Sequence, residues 1–172
     1  EKYSPLDPGV TYADCLKREA VIEALYELAG CPGVSGLKNR FTDVSANSAY
    51  YSAIVWAQQR DIATGYLSMA YNTFGMGKWC TRQDLMYMLM RYSELMDYKR
   101  SIDFGRSDEY LDYYDVDYDH WEAVCWNATL QIVAAKGDPD AKKDEQRIDP
   151  YGIVTKTEIQ NALNRLIEVN TI

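Results

Sequence analysis

Three cations stand where a helix disfavours them. Arg18, Arg82 and Lys156 each fall in the first turn of a predicted helix. A positive side chain there opposes the positive end of the macrodipole, at a cost of a few tenths of a kcal/mol up to ~1 kcal/mol. The same locally poor choice made three times points to an arriving anion. Free amides, the dipole and a guanidinium all favour a carboxylate or phosphate. The competing reading is a structural clasp, each cation paired with a nearby acid such as Asp43 or Asp115.

Other reactive side chains lead nowhere comparable. His120 is the single histidine and has no Ser or Cys elbow beside it. Gly-rich phosphate loops are absent and the Asp/Glu pairs are scattered, so catalysis is not expected. The run Asp115-Val116-Asp117-Tyr118-Asp119 hints at calcium. An EF-hand loop begun at Asp115 needs Gly at its sixth position and Glu at its twelfth, where His120 and Trp126 stand. Cys15, Cys31, Cys80 and Cys125 contain no Cys-x-x-Cys, and with one histidine they do not make a zinc site. Four cysteines allow three pairings. Cys15 and Cys31 flank one predicted helix about 20 Å long, too far to pair with each other, and buried free thiols are the simpler reading. Neither a metal nor a cofactor is expected.

The elements that position the cations read as helices. Residues 1–16, with Pro5, Pro8 and Gly9, are loop and turn. A helix over about Lys17–Ala29 carries Val21, Ile22, Leu25 and Leu28 at helical spacing, and Gly30 to Gly33 stop it. A second helix spans about Asn47–Arg60 and buries Tyr51, Ile54 and Val55, followed by an irregular loop over Leu67–Cys80. Thr81 opens a strong helix with the face Leu85, Met88, Leu89, Tyr92 and Leu95. Thr81 followed by Asp84, and Thr155 followed by Glu158, resemble capping boxes. A polar insert covers Asp97–Glu109; the next helix runs from near His120 to about Ala135, and Asp138–Gln146 is charged and solvated. The last helix buries Ile159, Leu163, Leu166 and Ile167. No set of alternating strands appears, so the fold class is mostly α.

Composition narrows the partners. The chain has 172 residues, 47% apolar and 26% charged, enough for a packed interior. Its net charge of −8 argues against nucleic acid, whose binding rests on Lys and Arg, but leaves room for a local anion pocket. No apolar run reaches the ~18 residues of a membrane helix. Glu1-Lys2-Tyr3-Ser4-Pro5 does not read as a signal peptide, which suits a cytosolic chain, a mature one or an excised fragment.

Repetition organises the whole. Phe41-Thr42-Asp43-Val44, an aromatic helix through Trp56, Ile62-Ala63-Thr64-Gly65-Tyr66 and a Thr81-Arg82-Gln83-Asp84 helix form one unit. Tyr113-Tyr114-Asp115-Val116, Trp121 to Trp126, Ile132 and Thr155-Lys156-Thr157-Glu158 answer it in order. Residues 1–40 match only the second half of a unit, with Arg18 in the slot of Arg82 and Lys156. The alternative alignment, Thr11-Tyr12-Ala13-Asp14 on Thr81–Asp84, would bury Arg18 and Glu19 and is rejected on that cost.

This order of motifs resembles the S-layer homology (SLH) domain, over about residues 10–170. The resemblance implies helix-loop-helix units around a pseudo-threefold, a three-pronged spindle. Here it gives a partial first unit (1–40), a second (41–96), a polar linker (97–112) and a third (113–172), together one compact domain. It also implies noncovalent anchoring of an exported protein to a bacterial secondary cell-wall polysaccharide, often one carrying pyruvylated N-acetylmannosamine, at the cell surface. The family's Thr-Arg motif sits in grooves between units and helps hold the anionic sugar. Carried over, Arg82 with Thr81 is the main site, Arg18 and Lys156 with Thr155 are its counterparts, and Gly65 and Tyr66 open the groove floor. The sequence departs at Lys17-Arg18, which lacks a Thr cap, at Lys156 for Arg, and at Ala135-Lys136 where Gly65-Tyr66 stand.

Around these, Asp43 and Asp115 precede a Val at a helix entry, where capping is the first expectation and ligand contact the second. Trp56 and Trp126 read as core and Trp121 as a groove edge, and Trp79 and Tyr66 offer faces suited to a sugar ring. The function expected is noncatalytic binding of an anionic cell-wall glycan, with a cargo domain or another protein as further partner. Two alternatives remain: an SLH-derived protein-interaction scaffold with degenerate grooves, and recognition of a neutral glycan by Tyr and Trp alone.

Overall fold

A computed structural model describes residues 2–66, 72–98 and 102–171; part of the expected 67–80 loop and of the 97–109 insert lies outside them. The described residues are mostly helical, with five α-helices, short 3-10 turns and isolated bridges in place of strands. The chain divides into two compact units, one of residues 16–80 and one of residues 1–15 with 81–172.

In the 16–80 unit, α1 (Arg18–Leu28) packs on α2 (Tyr51–Gln59). Their faces supply Val21, Ile22 and Leu25 from α1 and Ala53, Ile54, Val55, Trp56 and Ala57 from α2. Tyr26 and Trp56 meet with ring centroids 5.5 Å apart. Left-handed Gly30 and Cys31 end α1, the amide of Cys31 returning to the carbonyl of Tyr26 at 3.0 Å. α2 begins later than periodicity suggests. Ser45 and Ser48 hydroxyls accept the amides of Asn47 and Tyr50, offering that backbone a turn instead of a helix. Tyr51, expected in the core, is half-buried at the helix start. Gln58 ties the preceding link down by accepting from the Arg40 amide and donating to the Lys38 carbonyl.

In the other unit, α3 (Arg82–Leu95) packs on α4 (Trp121–Leu130), and α5 (Lys156–Asn170) follows. Thr81 and Thr155 cap their helices as expected, accepting the amides of Asp84 at 3.3 Å and Glu158 at 3.1 Å. The core takes Leu85, Met86, Met88, Leu89, Met90 and Tyr92 from α3, and Val124, Cys125 and Trp126 from α4. α4 stops well before Ala135. Gln131 adopts a left-handed conformation (φ 56°), and the Asn127 side chain bridges the amide and carbonyl of Val133. On α5 the core residues are Ile159, Ala162 and Leu166; Leu163 is half-buried and Ile167 is exposed.

Antiparallel bridges precede the helices: Lys17 with Trp79 in the 16–80 unit, Thr81 with Ile153 and Cys15 with Thr155 in the other. No disulfide joins the four cysteines, and Cys31, unlike the other three, is exposed.

Candidate functional site

One construction occurs in both units. In the 16–80 unit the Asp43 carboxylate accepts the amides of Phe74 (2.8 Å), Gly75 (2.9 Å) and Met76 (3.0 Å), while Arg18 Nε donates to the Phe74 carbonyl at 2.9 Å. In the other unit the Asp112 carboxylate accepts the amides of Ile148 (2.8 Å) and Asp149 (2.7 Å), while Arg82 Nε donates to the Ile148 carbonyl at 2.9 Å. An acid holds the amide side of a loop segment and an arginine its carbonyl side.

The register corrects two expectations. Asp43 caps a distant loop, not the helix after it. Its partner in the repeat is Asp112, so the recurring segment begins at Tyr110 and overlaps the expected 97–112 linker. Phe41 and Tyr110 are buried at matching places, and the amides of Thr42 and Leu111 reach the carbonyls of Asn72 and Gln146. Asp115 lies exposed on a 3-10 turn, Tyr113–Asp115. Burial pushes the Asp43 carboxyl up, but the amides of Met76, Phe74 and Gly75 outweigh it and hold the group below the ordinary carboxylate range.

Arg82 is therefore not an open hook. It is 2% exposed and makes three kinds of contact: the Ile148 carbonyl, the Glu158 carboxylate, and the Ala134 carbonyl at 2.7 Å from its second terminal nitrogen. A clasp forms, but with Glu158 in place of Asp43 or Asp115. Gly152 is required beside it, since a Cβ there would meet Arg82 Cδ at 2.8 Å.

Arg18, at 3% exposure, lies between the rings of Tyr66 and Phe74, 5.3 and 5.2 Å from their centroids. Arg18 and Glu19 are thus both buried, contrary to the expectation that burial cost excludes this. The cost is offset by the Phe74 carbonyl for Arg18 and the Gly77 amide for the Glu19 carboxylate. Lys156 alone of the three is exposed, on the first turn of α5.

Gly65 and Tyr66 precede an amide contact of Tyr66 with the Thr73 carbonyl at 2.8 Å, and the Tyr66 ring lies on Gly75. Ala135 and Lys136 fill the same positions in the other unit, where the Lys136 amide reaches the Arg147 carbonyl at 2.8 Å. There the tyrosine-on-glycine contact becomes an ion pair: Lys136 Nζ lies 2.6 Å from Asp149. Burial raises the Asp149 carboxyl, but the hydrogen bonds from Lys136 and Ser4 and the charges of Lys136 and Arg82 bring it below the ordinary range.

These groups open into a groove of about 320 Å³ within this unit. Pro5, Leu6, Val10 and Ile153 give it apolar walls. Arg82, Glu158, Lys136 and Asp7 supply its charges and Thr155 a hydroxyl at its rim. Of the site residues expected from sequence, the groove gathers Arg82 and Thr155. Thr81 stays at its cap, and Trp121 is held elsewhere, stacked on Phe104 at 5.2 Å and donating to the Tyr113 hydroxyl at 2.8 Å. Lys136, Asp7 and Glu158 join Arg82 and Thr155 in the lining, none of the three among the site residues expected from sequence. Only the alignment of Lys136 on Tyr66 offered a sign of it.

No family model matches the chain, and neither does any curated protein or solved structure.

Proposed function

We propose that the chain is an SLH-type module that binds an anionic cell-wall polysaccharide without catalysis and tethers an exported protein to the bacterial surface. The observation that carries this reading is the groove floored by Arg82 and Lys136. Two cations share one apolar-walled cleft with their partner carboxylates Glu158 and Asp7, and Lys136 keeps part of its surface toward solvent (15% side-chain exposure). A sugar can lay its apolar face on Pro5, Leu6 and Val10 while its acidic group meets Lys136. Arg82 then acts mainly as a frame, orienting Glu158 and the Ala134 carbonyl, with the capped start of α5 at the rim.

The same reading takes the fold as a pseudo-threefold, three-pronged spindle. Its support is the common register of three bridges. In each, the residue just before α1, α3 or α5 pairs with the residue two places before the cap of another of these helices.

The test is retention on the purified polysaccharide with and without its acidic substituent. Retention on the acidic form, lost when the substituent is removed, is expected. Equal retention on both forms would sink the anionic reading.

A protein-interaction scaffold is the second reading. Tyr114 is 94% exposed, with Tyr118, Leu111 and Phe104 also open to solvent nearby in sequence. It predicts a protein partner that is still captured after the wall polymer has been chemically stripped.

A further inference from the structure

Resting on that glycan reading, we propose that Asp7 is a built-in stand-in for the ligand's acidic group, holding the place at Lys136 that a sugar carboxylate takes. Lys136 Nζ lies between two carboxylates, Asp149 at 2.6 Å and Asp7 at 2.9 Å. The two are unlike. Asp149 is buried and fixed further by the Ser4 hydroxyl, which donates to it at 2.7 Å, and by the Asp112 carboxylate, which accepts the backbone amides of Asp149 and Ile148. The Asp7 side chain is 47% exposed and has Lys136 as its ion-pair partner.

The segment carrying Asp7 is pinned on both sides. Upstream, the Ser4 amide donates to the Tyr151 carbonyl at 2.9 Å; downstream, Cys15 bridges Thr155. Between these pins, Asp7-Pro8-Gly9-Val10 forms a turn closed by the Val10 amide on the Asp7 carbonyl, with Gly9 left-handed at φ 82°. Pro5, Leu6 and Val10 of this segment are also a groove wall. Rotating the Asp7 side chain therefore clears one face of Lys136 without dismantling the wall, and Asp149 keeps the ammonium paired meanwhile.

A carboxylate arriving at Lys136 replaces a carboxylate leaving it, so the ammonium keeps a negative partner throughout and the empty groove never holds a bare buried cation. The consequence is competition within the molecule. Apparent affinity falls by the fraction of time Asp7 occupies the position.

The experiment titrates D-galacturonate into the wild-type chain, Asp7→Asn and Asp7→Glu, following backbone amides by NMR. Asp7→Asn should bind about two- to five-fold tighter, the margin an exposed ion pair withholds. Asp7→Glu should match the wild type, and in the wild type the amides of Lys136 and of the Asp7–Val10 turn should shift together. Equal affinities for wild type and Asp7→Asn, with Lys136 still shifting, would overturn the competitor role and leave the glycan reading standing. No shift around Lys136 in any of the three proteins would overturn both.

Discussion

The Asp112 carboxylate accepts the Ile148 amide at 2.8 Å, the same distance at which Asp43 accepts the Phe74 amide. Each acid lies more than thirty residues upstream of its loop in sequence, so each closes a long segment around one side chain. Removing the carboxylate orphans two amides at once. Asp112→Ala should lower stability by about 2 kcal/mol, while Asp115→Ala should stay within about 0.5 kcal/mol. Urea unfolding of the two variants side by side decides which aspartate carries the repeat.

Asp43 also makes stability depend on pH. Its folded pKa lies below the ordinary value of about 3.9 seen in an unfolded chain. Its contribution is therefore complete above roughly pH 5 and is lost as pH falls through the folded value. Asp43→Asn should be less stable than wild type at pH 7, and the gap should narrow on acidification toward pH 2. A gap that stays constant over this range, measured by urea midpoints, contradicts the assignment.

Arg82→Ala should act first on folding. The substitution leaves the Ile148 and Ala134 carbonyls and the Glu158 carboxylate without their guanidinium. A loss of about 3 kcal/mol is expected, with Arg82→Lys recovering part of it. Glycan retention by Arg82→Ala is meaningful only when scored on the folded fraction, so the unfolding curve and the binding isotherm belong together.

Gly75 should tolerate no side chain. It sits at φ 87°, and a Cβ there would meet the Tyr66 ring at 2.5 Å. Gly75→Ala combines left-handed strain with a clash and should cost about 2–3 kcal/mol, read as a fall in melting temperature. The matching position in the other unit is Asp149, itself left-handed at φ 51°, where Lys136 replaces the ring and the side chain has room to pair.

Thiol labelling should separate one cysteine from three. Cys31 is exposed, whereas Cys15, Cys80 and Cys125 are buried, and burial pushes the Cys15 and Cys125 thiols above their ordinary pKa. An aromatic disulfide reagent should modify about one thiol quickly in the native chain and the rest only on unfolding, counted by mass spectrometry.

The helices were legible because their signals are local. Thr81 and Thr155 announce two starts and the spacing of Leu85, Met88, Leu89 and Tyr92 one face, and all of these hold. What misled was also local. Tyr110-Leu111-Asp112 and Tyr113-Tyr114-Asp115 are consecutive copies of Tyr-x-Asp, and only the partner loop at Ile148 selects the first. Arg18 and Arg82 look like hooks in the sequence because a helix dipole can be seen there, whereas a carbonyl fifty or more residues away cannot. The groove charges failed for the same reason: Asp7, Lys136 and Glu158 are brought together only by the folded backbone.

The bridge between Cys15 and Thr155 sets an order of events during synthesis. Once residue 80 has left the ribosome, the 16–80 unit has every hydrogen-bonding partner described for it, down to the Cys80 amide on the Leu16 carbonyl. The opening segment has no such opportunity. Ser4, Asp7 and Cys15 must wait for Lys136, Asp149, Tyr151 and Thr155, more than a hundred residues later. Contacts of such sequence separation form slowly, so the groove wall is among the last parts of the nascent chain to find its place.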